Sequence, residues 1–141
     1  MKCVLDSSVA FKSLVLEQHS SMAIRLVREF GQSLHEFIAP SVVSHELAHA
    51  VTRAERQNRL ATGQAIQHWA AFMAVPPLLI DDQPLIERGI EIASFHRIGV
   101  YDSVYVALAE QEGCELITAD DKLVRNLQKH FPFIVDLSTL P

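Results

Sequence analysis

The sequence predicts an α/β fold, a single domain over residues 1–141 with helices on both faces of a central parallel sheet of about four to five strands, in three α/β/α layers. Three observations lead there. Short apolar runs lack the polar alternation of a half-exposed strand, as expected of strands covered on both faces. Longer amphipathic segments separate those runs, as crossover helices between parallel strands do. The chain has 141 residues, 49% of them hydrophobic and 21% charged, enough to bury one core without disulfide or metal staples.

Taken in order, Cys3-Val4-Leu5 reads as the first strand, and Ser7 or Ser8 can cap a helix running to about residue 16. A helix over 20–30 carries Met22, Ala23, Leu26, Val27 and Phe30 as an apolar stripe and stops at Gly31. Phe37-Ile38-Ala39 is the second strand, and Pro40-Ser41 opens a helix over 42–57 with Val43, Leu47, Ala50 and Ala54 on one face. A helix over 61–73 follows, with Ile66, Trp69, Ala70 and Met73 as a stripe that suits the core better than a partner surface. Pro76-Pro77 interrupts the chain before strand 78–80, and Asp81 or Asp82 can cap the next helix, which carries Leu85, Ile86, Ile90 and Ala93. A helix over 102–112, a strand over 115–118, a helix over 123–130 and a strand over 133–135 complete the chain.

The net charge of −5 argues against a protein that grips nucleic acid through a broad basic surface. A nuclease would need a local basic rim, for which Arg25, Arg28, Arg53, Arg56 and Arg59 are candidates, although a solvated helix face explains them equally well. Cys3 and Cys114 both adjoin apolar runs and read as buried free thiols. No leader-like segment and no apolar run long enough for a membrane helix is visible, so a soluble cytoplasmic protein is expected.

In open α/β sheets the functional site lies beyond the carboxyl ends of the strands. Asp6 stands at the end of the first strand, Thr118 and Asp120 at the end of a later one, and Asp102 at the start of a helix. Glu46 is unusual. Of its helical neighbours at three and four positions, Val42, Val43 and Ala50 are apolar and only His49 is not, which turns a carboxylate toward the core. Such a carboxylate is costly unless paired or bound to metal. Taken singly, Asp102, Asp120 and Asp121 are ordinary helix caps. Asp6, Glu46, Asp102 and Asp120 together make a set that repels itself by about 3 kcal/mol for each pair about 5 Å apart. A hard divalent ion, Mg²⁺ or Mn²⁺, would remove that cost and could support phosphodiester hydrolysis.

The ordered set Val4-Leu5-Asp6-Ser7-Ser8-Val9, Ser44-His45-Glu46-Leu47, Tyr101-Asp102-Ser103-Val104-Tyr105-Val106-Ala107-Leu108-Ala109 and Leu116-Ile117-Thr118-Ala119-Asp120 resembles the PIN-domain ribonucleases. It is most similar to the VapC-type toxins of toxin–antitoxin modules. The resemblance implies a PIN-like fold and a Mg²⁺- or Mn²⁺-dependent endoribonuclease cleaving RNA. In it Asp6 and Asp102 are the principal metal ligands, and Glu46 and Asp120 complete the acidic site. Ser7 and Thr118 match hydroxyl positions that orient carboxylates. It also implies a homodimer held in check by a VapB-type antitoxin. One departure stands out. Some relatives carry a further acid where this chain has Lys122, and Asp121 is the available substitute.

Two other readings compete. His45-Glu46-Leu47-Ala48-His49 has the spacing of a zinc metallopeptidase helix, with His68 or His96 as a possible third ligand. That reading leaves Asp6, Asp102 and Asp120 without a role. A non-catalytic nucleic-acid-binding module of the same fold is the other, and the intact acidic set argues against it. Phosphoryl-transfer folds that use a strand-end Asp need a second acid where Ser7 or Ser8 stands. Trp69 and Phe72 read as core or interface, and Tyr101 and Tyr105 as structural residues that could border the site.

Overall fold

The structure is a computed structural model that describes residues 1–32 and 34–141. Five parallel strands form one sheet: β1 (Lys2–Leu5), β2 (Glu36–Pro40), β3 (Leu78–Ile80), β4 (Glu115–Thr118) and β5 (Ile134–Asp136), in the order β3-β2-β1-β4-β5. The helices between them are α1 (Ser7–Leu14), α2 (Ser20–Gly31), α3 (Val42–Arg56), α4 (Gln64–Ala74), α5 (Ile86–His96), α6 (Val100–Glu112) and α7 (Asp121–Leu127).

The chain steps outward from β1 to β3, then returns to β4 on the other side of β1. Parallel crossovers are right-handed, so reversing the direction of travel changes the face on which the helices lie. Helices α1 to α4 therefore pack among themselves on one face, and α5 packs on α6 on the other. The reversal leaves a crevice between the carboxyl ends of β1 and β4, the topological switch point where open sheets bind ligands.

The strands are central because their residues are apolar on both faces. Cys3, Val4, Leu5, Phe37, Ile38, Leu116, Ile117 and Ile134 are all buried in one continuous core. The α5–α6 contact is tight at Gly89, where a Cβ would stand 3.1 Å from the Val104 side chain. Gly113 ends α6 in a left-handed conformation, at φ 62°, which a residue without Cβ adopts freely.

Three expectations change. Helix α6 starts at Val100, so Asp102 lies inside its first turn rather than capping it. Asp82 does not cap the helix that follows it; its Oδ2 accepts the Val42 N–H at 2.8 Å and so closes the start of α3 from the end of β3. The stripe on α4 is not core: Ile66 and Met73 are exposed, while Ala65 and Phe72 face inward. The Trp69 ring lies 5.9 Å from that of Phe72 at the boundary. Cys3 and Cys114 are both free thiols; Cys3 is buried as expected, whereas Cys114 is only half-buried. No helix among the described residues is long and apolar enough to cross a membrane.

Candidate active site

The site begins with the last turn of the β1 ladder. The Asp6 N–H donates to the Ile117 carbonyl at 3.1 Å, which sets Asp6 beside Thr118 at the end of β4. The Asp6 side chain is only 5% exposed. Ser8 Oγ and Thr118 Oγ1 each donate to Asp6 Oδ2 at 2.6 Å. Both hydroxyls are themselves oriented by backbone donors: the Ala119 N–H reaches Ser8 Oγ and the Asp120 N–H reaches Thr118 Oγ1, each at 3.0 Å. A hydroxyl that accepts from an amide must send its hydrogen elsewhere, here to Asp6. Burial pushes the Asp6 carboxyl above its ordinary range; the two hydroxyls and the Ser7 amide oppose the rise, and the charge of Asp120 adds to it.

Asp120 is the N-cap of α7. Its Oδ1 accepts the N–H groups of Lys122 at 2.9 Å and Leu123 at 3.2 Å. The helix cap and membership of the acidic set are thus compatible roles for one carboxylate. Asp121, the first residue of α7, is exposed.

Glu46 and Asp102 complete the set from the two helical layers. Burial drives the Glu46 carboxyl up to about 7, and the charges of Asp6 and Asp102 add to the rise. Its Oε1 is buried without a hydrogen-bond partner, as is the hydroxyl of fully buried Tyr105. That hydroxyl favours the charged form of Glu46 without making a well-formed hydrogen bond to it. Burial likewise lifts Asp102 to about 6, reinforced by Asp6 and Asp120 and opposed by Lys122. Asp6, Glu46, Asp102 and Asp120 therefore act on one another through charge at the switch point.

The fit to a divalent ion rests on donor chemistry. The set is all carboxylate oxygen, its like charges raise one another's affinity for protons, and Glu46 Oε1 is a buried acceptor that a cation or its water could satisfy. Among the described residues, no three acidic, histidine or cysteine side chains stand close enough to enclose an ion together. Mg²⁺ does not need such a cage, since it binds through one or two carboxylates and keeps several waters.

Two grooves flank the acids. One, of about 530 Å³, is lined by Ser7, Val42, His45, Glu46, His49 and Tyr101. The other, of about 160 Å³, is lined by Arg97, Ile98, Gly99, Asp102, Asp120, Lys122, Leu123 and Asn126. Arg97 reaches it from the end of α5 in a left-handed conformation at φ 55°, uncommon for a residue with a side chain.

Several sequence assignments shift. Thr118 orients Asp6 as expected, but the second hydroxyl on its carboxylate is Ser8, not Ser7. Ser7 contributes its amide and lines the larger groove. The arginine rim is not where the acids are. Arg53 and Arg56 lie roughly 10–15 Å along α3 from Glu46 at 1.5 Å per residue. Arg59 pairs with Glu17 at 2.7 Å, and Arg25 contacts the Pro141 carbonyl. The cations beside the acids are Arg97, which the sequence did not mark, and Lys122. Among the described residues the zinc reading lacks its third ligand: His45 and His49 are exposed on α3, and His96 lies tilted against His130 with ring centroids 4.8 Å apart.

The family model of the PIN domain matches residues 3–127. The chain belongs to the PIN-domain family. A curated relative, Ribonuclease VapC3 of Pyrobaculum aerophilum, is 30% identical over 139 residues, covering 96% of this chain and 98% of the relative. Ribonuclease VapC1 of Mycobacterium tuberculosis is 30% identical over 125 residues, covering 86% of this chain and 88% of the relative. Among solved structures, a protein from Pyrobaculum aerophilum superposes with a TM-score of 0.71 at 19% identity, over 99% of this chain and 94% of that one. The VapBC2 structure from Rickettsia felis, bound to a DNA fragment from its promoter, gives 0.65 at 15% identity, over 96% and 97%. These likenesses carry the three-layer PIN fold with its five-stranded parallel sheet.

Proposed function

We propose that the chain is a Mg²⁺- or Mn²⁺-dependent endoribonuclease, the toxin of a VapBC-type toxin–antitoxin module. The observation that carries the reading is the convergence of Asp6, Glu46, Asp102 and Asp120 at the β1–β4 switch point, with Glu46 Oε1 buried and unpartnered. Curated relatives named as VapC ribonucleases, aligned over nearly the whole chain, support it.

In this reading Asp6 and Asp102 would hold the ion directly, and Glu46 and Asp120 would complete the acidic site in part through water, Asp120 from the α7 cap. When bound, the ion supplies Lewis-acid charge that stabilises the phosphodiester as its own charge rises. The chain's residues do the rest. Ser8 and Thr118 fix the Asp6 carboxylate so that its position is set before substrate arrives. Burial and the neighbouring acids raise Glu46 to about 7 and Asp102 to about 6 in the metal-free chain, a cost that a bound cation would relieve by favouring both carboxylates. Arg97 and Lys122 offer the RNA backbone a cationic contact beside Asp102.

A VapB-type antitoxin as partner is supported by two structural neighbours, VapBC2 from Rickettsia felis and a toxin–antitoxin complex from Klebsiella pneumoniae. A homodimer is part of the proposal, with the exposed apolar residues Ile66, Met73, Val75 and Leu78 as its candidate surface. So is a cytoplasmic location, where RNA and reduced thiols are found.

The test is RNA cleavage by the purified chain with Mg²⁺ or Mn²⁺, with EDTA, and with the Asp6→Asn and Asp102→Asn variants. Cleavage should require the ion, and each variant should lose it by on the order of 10³-fold. Equal cleavage by all three proteins in EDTA would overturn the assignment.

A further inference from the structure

The larger groove is unexplained by the acidic chemistry it adjoins. His45 and His49 are one turn apart on the exposed face of α3, and Tyr101 projects from the first turn of α6 with 62% of its surface exposed. Among the described residues none of these three rings has an aromatic or ionic partner. Three flat, unengaged side chains thus surround a groove of about 530 Å³, within the roughly 300–1,000 Å³ of ligand sites. Glu46 belongs both to this groove and to the acidic set, so whatever occupies the groove lies against the reacting centre.

Charge narrows the occupant. The chain carries −5 overall and the groove contains a carboxylate and no Lys or Arg, so it does not suit a phosphate. The cations lie in the other groove, beside Asp102 and Asp120. An uncharged planar group suits what is left, and single-stranded RNA is read by stacking splayed bases on Tyr, His, Phe or Trp rings. We propose that His45, His49 and Tyr101 form a base-stacking subsite that seats an unpaired nucleobase of RNA next to the scissile phosphate. The subsite rests on the ribonuclease reading and deepens it. It assigns the two sides of the acids different work: base on the α3 side, phosphate on the Arg97–Lys122 side.

The experiment uses a fluorescent, mixed-sequence single-stranded oligoribonucleotide. Its cleavage position is mapped, and versions are then made with an abasic nucleotide on either side of that position. Tyr101→Ala and His49→Ala should each raise KM by about tenfold, within the roughly 5- to 150-fold expected of a lost base stack, and leave kcat within about twofold. Tyr101→Trp and His49→Phe, which keep a flat ring, should retain the wild-type KM. One abasic position should raise KM by the same factor, and Tyr101→Ala should add nothing to it. Equilibrium binding of the intact and abasic oligonucleotides in EDTA, with the abasic position scanned, gives the same comparison without turnover. An abasic penalty that is unchanged by Tyr101→Ala would sink the subsite. So would alanine variants that weaken binding of a co-expressed protein partner but not of RNA. Failure of the wild type to cleave RNA would count against the ribonuclease reading, while the binding arm would still decide the subsite.

Discussion

Asp6, which is buried, and Glu46, which is half-buried, are carboxylates of one site, yet the fold treats them in opposite ways. Asp6 sits at the end of a central strand and receives two hydroxyl hydrogen bonds, each steered by a backbone amide of the β4–α7 connection. Glu46 sits on a helix face, and its Oε1 has no partner. The strand side therefore spends structure on fixing an acid, whereas the helix side leaves one unsatisfied. A buried acceptor without a partner lowers stability and persists where a ligand will complete it. The pair separates a pre-positioned anchor from a group held ready for an incoming cation.

Breaking the anchor should have the largest effect. Thr118→Val and Ser8→Ala each remove one of the two hydroxyls on Asp6 while leaving the carboxylate in place. Groups that orient a metal ligand are worth about 10- to 100-fold in metal affinity or activity, and each variant should lose that much metal-dependent cleavage. Ser7→Ala should lose much less, because Ser7 serves Asp6 through its backbone amide. Parallel titrations of cleavage against Mg²⁺ or Mn²⁺ concentration check this. A greater loss for Ser7→Ala than for Ser8→Ala would reverse the assignment of the orienting hydroxyl.

The second prediction concerns the unsatisfied side and reads out stability. Glu46 is lifted from 4.5 to about 7 and Asp102 from 3.8 to about 6. The folded chain thus holds protons that the unfolded chain gives up. Their contribution to stability is fully present below the unfolded values and is lost as pH rises through the folded ones. The metal-free protein should be progressively destabilised between about pH 4 and 7 and then level off. Glu46→Gln removes its share of that loss. In EDTA at pH 8 it should be more stable than the wild type by on the order of 1–2 kcal/mol, after discounting for partial solvent screening. The gain should shrink toward pH 4. Thermal melts at several pH values measure it, and a Glu46→Gln variant that melts below the wild type at pH 8 would mean that Glu46 is satisfied in the folded state.

The same contrast explains what could be read from sequence. The sheet was legible because its strands are apolar on both faces, and the helices because their stripes repeat at helical spacing. Glu46 was legible because Val42, Val43 and Ala50 turn it inward. Ser8 was not, since both serines follow Asp6 and only the rotation of α1 decides which hydroxyl returns to it. The start of α6 was placed two residues late, at Asp102, because the helix begins at Val100 after a Gly99 that offers no capping side chain. The basic contacts were missed for a different reason. Arg25 to Arg59 are prominent as a local cluster, but the direction of α3 carries Arg53 and Arg56 away from the acids. Arg97 and Lys122 meet only through tertiary structure, from the end of α5 and the start of α7.

The smallest expected effect tests the departure at Lys122. If Asp121 stood in for the acid that some relatives carry there, it would join Asp120 in the site, and its loss would resemble the loss of a ligand. The geometry argues otherwise. Asp120 is the residue whose carboxylate is tied to the α7 amides, and it also lines the groove with Asp102; Asp121 is exposed in the first turn and does not line that groove. A charge at a helix amino end is worth about 0.3–1 kcal/mol through the helix dipole, which is the only contribution left for Asp121. Asp121→Asn should therefore lower stability by no more than that and leave cleavage, and its dependence on metal concentration, within about twofold of the wild type. A metal requirement shifted tenfold by this substitution would instead place a fifth carboxylate at the site and make Lys122 a neighbour of a second ion.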